Sequence, residues 1–467
     1  MPVELSRPHR YPRHLRMPQI TLSPAQAVAL GFLALIVIGT LVLSMPAASA
    51  SGVGTDLLSS LFTVTSAVTM TGLVVLDTGS HWSGLGQVIV LVLIQVGGFG
   101  IMSVTSLAGM LLTGRIGLRS RLYTRAENRS LDTGDIGRTV LATLLITVIC
   151  EAIVAVITTV RFATTYGMSL PQASWEGMFH AVSAFNNAGF GLRSDSLVPY
   201  VGDGWIILPL ACALIIGGLG YPVVSELWDR ARLSMQRRGH RGARKLSVTT
   251  RITVTGTVIL IVAGVAMVGV LEWNNTLAAL PAGTRVLAAF FQGVSPRTAG
   301  FNSLDYGEFH PVTLMGTDLL MFIGGGSAGT AGGIKITTAA VLLAAIIAEV
   351  RGHHATTIGH RTISQPVVRQ ALTVAVLSVV LVVVAVGTLR LLDPVFTGDQ
   401  ITFEVISAFA TVGLSTGITA DLSSPCQLVL CALMYLGRIG PVTLVVALAA
   451  KHSARRFHYP EERPFIG

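Results

Sequence analysis

Four short segments of the chain share a spacing that could bind a bare cation through backbone oxygen. They read Phe62-TVTSAVTMT-Gly72-Leu73, Phe179-HAVSAFNNA-Gly189-Phe190, Phe290-FQGVSPRTA-Gly300-Phe301 and Phe403-EVISAFATV-Gly413-Leu414. In each, a Phe stands ten residues before the glycine and a Leu or Phe follows it, and the glycines are 117, 111 and 113 residues apart. Each segment is too short to cross a bilayer, so the expected form is a short re-entrant helix from the outer side with an extended return. The glycine permits a backbone conformation that a side chain would hinder, and the negative C-terminal end of each helix favours a cation. Four copies around one axis could replace an ion's hydration shell with carbonyls. One such segment alone would read as an ordinary turn; four in the same register argue for a shared backbone role. The expected carbonyl ligands are Thr71, Ala188, Ala299 and Val412, immediately before Gly72, Gly189, Gly300 and Gly413, together with Met70, Asn187, Thr298 and Thr411. With one glycine per copy, fewer carbonyl rings form than in a TVGYG filter, and selectivity is expected to be real but imperfect. Arg297, just before the third glycine, would be costly facing a cation and is expected to brace the segment from behind through an acidic residue or carbonyls.

The elements that would position these segments are apolar spans. Of 467 residues 51% are apolar and 12% charged, where soluble proteins carry about 25% charged, and the mean hydropathy is +0.69. The chain therefore reads as an all-α integral membrane protein. Apolar stretches at 24–45, 88–112, 138–160, 205–225, 252–271, 313–348, 369–390 and 427–450 are each long enough to cross, given the need for about 20 residues. Eight transmembrane helices then form four pseudo-repeats of helix, re-entrant helix with its glycine strand, and helix. These are delimited at 24–112, 138–228, 252–348 and 369–450, with basic segments at 1–23, 113–137, 229–251, 349–368 and 451–467. Most of the 32 lysines and arginines fall in those basic segments, so the positive-inside rule makes both termini cytoplasmic. That topology accounts for the net charge of +9 and removes the need for a nucleic-acid partner. The outer side carries an excess of acidic residues, read equally well as a cation-concentrating entrance or a solvated face. The basic opening leads into a full span at Ser23–Ser44 without a small-residue cleavage site, so that span is expected to stay. Cys150, Cys212, Cys426 and Cys431 are too scattered for a disulfide framework or a zinc site and read as packing residues. The cytoplasmic loops are too short for a nucleotide-binding or catalytic domain, so any regulatory domain would be another chain.

Span, pore helix, single glycine and second span, four times over, resemble the Trk/Ktr/HKT superfamily of potassium transporters across nearly the whole chain. TSAVTMTGL, FHAVSAFNNAGF, RTAGFN and ATVGLSTG are similar to that family's four filter segments, and LIQVGGFGIMS, MFIGGGSAGTAGGIK and GRIGP to its inner-helix signatures. The lack of two further N-terminal spans and the ending YPEERPFIG are most like the bacterial Ktr membrane subunit. Gly191 stands where an acidic residue often follows the second filter, and Ala410 where glycine is common in the fourth. The resemblance implies potassium uptake across the bacterial inner membrane, a homodimer with one pore per protomer, a cytoplasmic nucleotide-binding regulatory ring, and sodium as a coupling or activating ion. It names no other cofactor and no enzymatic activity. The alternatives kept open are a less selective sodium/potassium translocator and an unrelated transporter with discontinuous helices. The resemblance also implies that the run Gly324, Gly325, Gly326, Gly329, Gly332, Gly333 and Lys335 is an intramembrane gate loop beneath the filter, with Arg438 as a second positive charge near the constriction.

A phosphate-binding reading of that run fails, because Ile334 separates Gly333 from Lys335 and breaks the GK[ST] order. Glu151 lies within a span, where an ionisable residue is a functional candidate, although a structural pair or interfacial position is equally open. His353, His354 and His360 have no Cys or carboxylate at metal spacing and read as solvated loop histidines. No hydrolytic triad or redox-cofactor motif stands out.

Overall fold

A computed structural model describes residues 24–100, 136–236, 246–327 and 329–440. The described residues are mostly helical, with one two-stranded hairpin at Thr357–Ile358 and Arg361–Thr362. The basic stretches Arg7–Arg16 and Arg237–Lys245, most of the loop before Ile136 and the C-terminal segment lie outside the described residues.

Each repeat opens with a long apolar helix: α1 (Pro24–Leu43), α5 (Ile136–Thr165), α9 (Val248–Leu271) and α13 (Gln365–Leu392). A short, buried helix follows: α2 (Leu57–Thr69), α6 (Leu170–Phe185), α10 (Ala282–Val294) and α14 (Gly398–Ala410). A second apolar helix closes the repeat: α4 (Gly84–Phe99, after the single turn α3, Thr78–His81), α7 (Gly204–Leu219), α11 (Pro311–Phe322) and α15 (Ser424–Ile439). Helices α8 (Tyr221–Gln236) and α12 (Ile336–Val350) continue the second and third of these after a break.

Against the expected eight membrane crossings, the described residues hold four unbroken helices long and apolar enough to span, or five spans if α7 and α8, bent by 104°, count as one, and the expected spans at 88–112 and 427–450 run beyond the described residues. The closing helices end early for a local reason. At 1.5 Å per residue, the 16 residues of α4, α7 and α15 reach about 24 Å, short of a hydrocarbon core of about 30 Å. Each stops at a glycine, Gly100, Gly220 or Gly440, with φ of 83°, 84° and 87° and an extended ψ, a conformation open to glycine alone. The third closing helix stops at Phe322 and resumes at Ile336.

The long helices present apolar side chains outward, among them Val148, Val156, Val262, Val380 and Val384. Such a surface suits lipid rather than water. Their inner faces pack on the short helices, which are buried toward their C-terminal ends. Each closing helix also packs on the short helix of the following repeat: α4 on α6, α7 on α10, α11 on α14, and α15 back on α2. The four repeats therefore run in sequence order around a closed circle.

At the end of each repeat's long helix, polar groups fasten the start of its closing helix. Ser83 donates through its hydroxyl to Ala47 O at 2.7 Å, Arg161 Nε lies 2.6 Å from Asp203 Oδ2, and Ser423 N donates to Asp393 at 2.8 Å. In repeat three Glu272 accepts from His310 N at 3.0 Å and from the Thr313 hydroxyl at 2.6 Å. Burial works to raise the Glu272 carboxyl, but the hydrogen bonds from Thr313, His310, Asn275 and Thr276 outweigh it and hold the group below its ordinary value.

Candidate ion-conduction site

The circle of short helices aims its C-terminal ends at one place, and the residues that follow repeat a single backbone motif. Met70, Asn187, Thr298 and Thr411 have φ of 57°, 56°, 70° and 50°, and Gly72, Gly189, Gly300 and Gly413 have φ of 96°, 70°, 75° and 91°. Left-handed backbone is rare for non-glycine residues and costs about 1–2 kcal/mol each, so its recurrence at equivalent places needs compensation. The N–H groups supply part of it by turning back onto their own helix. Met70 N, Asn187 N and Thr411 N donate to Ala67, Ala184 and Ala408 O at 3.1, 3.0 and 3.2 Å. Thr71 N, Ala188 N and Val412 N each reach the carbonyl of Ser66, Ser183 or Ser407 at 2.8 Å. The hydroxyls of Ser66 and Ser407 then accept from Gly72 N and Gly413 N at 3.0 Å.

The carbonyls of these strands are left over. The residues Met70, Thr71, Asn187, Ala188, Thr298, Ala299, Thr411 and Val412 are all buried, and among the described residues no N–H or hydroxyl donates to their backbone oxygens. Buried carbonyls ordinarily find a donor. The glycines show where these oxygens lie. A Cβ on Gly72 would stand 2.5 Å from Ala188 O, one on Gly189 3.1 Å from Ala299 O, one on Gly300 would collide with Val412 O and one on Gly413 with Thr71 O. Each glycine thus faces the carbonyl just before the next glycine, in cyclic order, which brings the four glycines together with the carbonyls of Thr71, Ala188, Ala299 and Val412.

Repeat three enters the ring out of phase. Phe291, not Phe290, is the fully buried aromatic, and its serine, Ser295, stands one residue closer to the glycine. Ser295 gives its hydroxyl to Phe301 O, and Ala299 N donates to Ser295 O at 3.0 Å. Arg297 points away from the ring, as expected, and donates to Gly324 O at 3.4 Å; its partner is a carbonyl, and it has no ion pair among the described residues.

Beneath the ring lies the glycine run. Gly324 N bonds Ile334 O at 2.9 Å and Ile336 N bonds Gly325 O at 3.1 Å, so the ends of the loop pair with each other. Gly326 N reaches across to Gly218 O at 2.9 Å. Close approach explains the composition: a Cβ on Gly325 or Gly329 would stand 2.7 or 2.8 Å from Gly218 O, and one on Gly332 would strike Thr411 Oγ1 and stand 2.9 Å from Ala410 O. Gly333 has φ of 64°, and a Cβ there would stand 3.2 Å from Ala410. Lys335 folds back onto Ala331 O. Arg438 binds the loop from the fourth repeat, donating to Thr330 O at 2.6 Å and to Gly97 O at 2.8 Å, with its guanidinium 5.9 Å over the Phe32 ring. It replaces the second glycine of the pairs Gly97–Gly98 and Gly217–Gly218.

Some residues of the site escaped the sequence reading. The serine before each glycine recurs in all four quoted segments and was a readable signal. Gln95 and Asn186 were not, because their contacts depend on residues far apart in sequence. His353, His354 and His360 lie beside the hairpin, and no cluster of metal-ligating side chains occurs among the described residues.

The fold is helical, with apolar helices long enough to span a membrane and four short helices whose following glycines face one another's carbonyls. The chain belongs to the TrkH family of cation transport proteins, whose model matches residues 9–459; it is a transporter, not an enzyme. It is 37% identical to Ktr system potassium uptake protein B of Bacillus subtilis, over 96% of this chain and 98% of that one. It is 35% identical to the potassium/sodium uptake protein NtpJ of Enterococcus hirae, over 96% and 98%. The fold matches the crystal structure of the potassium transporter TrkH from Vibrio parahaemolyticus with a TM-score of 0.71 at 18% identity, covering 94% of this chain and 87% of that one.

Proposed function

We propose that the protein takes up potassium across a bacterial plasma membrane through the carbonyl ring at Gly72, Gly189, Gly300 and Gly413. The observation that carries this reading is the cyclic order in which Gly72, Gly189, Gly300 and Gly413 face the carbonyls of Ala188, Ala299, Val412 and Thr71, on buried residues whose backbone oxygens have no donor among the described residues. A dehydrated monovalent cation is the partner such oxygens lack. The names of the relatives from Bacillus subtilis and Enterococcus hirae supply the choice of ion.

The loop 324–335 is the gate in this reading, and Arg438 is its latch. Its bonds to Thr330 O and Gly97 O hold the loop across the axis, and its charge opposes a cation at that depth. Conduction requires the loop to move, and glycine keeps the backbone free to do so. In the same reading the protein is a homodimer with one pore in each protomer, as the resemblance of its filter segments implies, the basic loops put both termini in the cytoplasm, and a separate nucleotide-binding ring docks on the basic face around 229–251. A second reading, a less selective sodium/potassium translocator, draws on the single glycine of each strand and on the relative named for both ions.

Uptake of labelled potassium into proteoliposomes holding the full-length protein, with and without sodium, tests the proposal. Saturable potassium uptake in preference to sodium is expected, and sodium stimulation would add the coupling ion. Absence of potassium flux, or uptake that ignores the difference between the two ions, would contradict potassium selectivity.

A further inference from the structure

One carboxylate at membrane depth has no part in the reading above. Glu151 projects from α5, only 9% exposed. Its Oε1 accepts from Asn186 Nδ2 at 3.1 Å, and its Oε2 from Gln95 Nε2 at 3.4 Å. The Asn186 amide also donates to Gln95 Oε1 at 2.7 Å and to Val182 O at 2.9 Å. Three helices, α4, α5 and α6, therefore meet at one carboxyl group. Both of its oxygens are taken by amides, and among the described residues it has no ion pair. This is the pattern of a group holding something in place rather than one waiting for a transported ion.

What it holds is the base of a ring strand. Asn186 is the C-cap of α6, with φ −79° and ψ −2°, and is followed directly by left-handed Asn187. The amide fits because residue 98 is glycine: a Cβ there would collide with Asn186 Oδ1. The equivalent places elsewhere lack this anchor. Thr69 bonds within its own strand, to Thr71 Oγ1 at 2.7 Å, and Ala410 has no polar side chain. In repeat three Arg297 replaces Asn186, and Ile215 replaces Gln95. On α9, Thr257 stands as far from the helix end as Glu151 does on α5. There Ile215, Thr257, Ile261 and Arg297 line a cavity, and Arg297 Nε has no partner. The strand of repeat two also lacks the serine bond of repeats one and four, because the Ser183 hydroxyl is unpartnered. Its support comes from the outer helix instead.

We propose that Glu151 is a positioning residue for the second ring strand, which through Asn186 and Gln95 fixes the turn that projects the Asn187 and Ala188 carbonyls and so sets discrimination between potassium and sodium. The proposal rests on the filter reading above.

The test uses full-length protein in proteoliposomes and compares potassium with sodium uptake. Glu151→Leu should lower the potassium-to-sodium ratio about tenfold, the loss expected when a buried amide is left without its acceptor, while maximal flux stays within about twofold of wild type. Glu151→Gln keeps an acceptor for Asn186 and should restore the ratio to within about twofold. An unchanged ratio in Glu151→Leu overturns the proposal, and so does a Glu151→Gln variant as impaired as the leucine one, which would assign the role to charge. If Glu151→Leu does not assemble, Asn186→Ala must give the same lowered ratio, and a wild-type ratio there overturns the proposal equally. Gly189→Ser measured in parallel separates the two levels. If it shifts the ratio and Glu151→Leu does not, the filter stands and the positioning role falls. If neither shifts it, the filter reading falls as well.

Discussion

Repeats one and four hold their ring strands almost identically, and repeats two and three do not. In the first pair the short helix ends in a left-handed residue, Met70 or Thr411, and a serine hydroxyl takes the glycine N–H at 3.0 Å. Their sequences around the glycine, TMTG and ATVG, share little else. In repeat two the helix ends one residue earlier relative to its glycine, in right-handed backbone at Asn186, and the anchor is Glu151 with Gln95. In repeat three the serine slips by one residue and Arg297 ties the strand to Gly324. The backbone around the axis is common to all four, while the side chains that hold it differ. A ring of carbonyls constrains φ and ψ at its own residues and leaves the supporting shell free to diverge.

That difference can be sharpened by perturbation, and the largest effect is expected at the loop beneath the ring. Deleting Gly325 to Gly332 removes the segment latched by Arg438, and basal potassium flux should rise about tenfold or more, equivalent to removing at least about 1.4 kcal/mol of closure. Flux assays on protein that remains monodisperse check this. A folded variant with unchanged flux would show the run to be packing alone.

A middle-sized effect should divide the repeats. Ser66→Ala and Ser407→Ala each leave a buried glycine N–H unpaired at a cost of about 1–3 kcal/mol, and the potassium-to-sodium uptake ratio should fall about fivefold or more. Ser183→Ala loses no such bond and should stay within about twofold. Equal effects at all three would erase the distinction drawn between repeats one and two.

The smallest expected effect lies at the outer fastening of repeat three. Hydrogen bonding holds the Glu272 carboxyl below its ordinary 4.5, so its stabilisation is fully present above that pH and is lost as pH falls through the lower folded value. Glu272→Gln should lower the melting temperature of the detergent-solubilised protein by a few degrees, about the effect of 1 kcal/mol, at pH 7. The gap between variant and wild type should close as the pH is lowered past 4.5 and through the lower folded value. A pH-independent gap would remove the carboxylate from the fastening.

Much of the ring was legible in the sequence, because glycine at a fixed offset is a backbone requirement that sequence records directly. The same holds for the breaks at Gly100 and Gly440, which sit inside the quoted inner-helix signatures, although their effect of ending α4 and α15 was not read from the sequence, and the break at Gly220 was not singled out at all. The one-residue slip in repeat three was hidden because Phe290 and Phe291 are adjacent, and alignment on the glycine picks the wrong one. The partners of Glu151 were illegible for another reason. Asn186 and Gln95 are 35 and 56 residues away, and no periodicity announces a contact between three helices. Arg438 was placed beside the loop in advance by resemblance, while its particular acceptors, Thr330 O and Gly97 O, needed coordinates.

The central claim is that the four glycines form one selective ring, and the most direct measurement is the potassium-to-sodium uptake ratio after single serine substitutions at Gly72, Gly189, Gly300 and Gly413. Each serine must adopt left-handed backbone, at about 1–2 kcal/mol, against a neighbouring repeat's backbone that leaves no room for a Cβ. All four variants should therefore lose discrimination by a comparable factor, about tenfold, with protein abundance less affected than the ratio. A Gly189→Ser protein with normal flux and wild-type ion preference would contradict the ring.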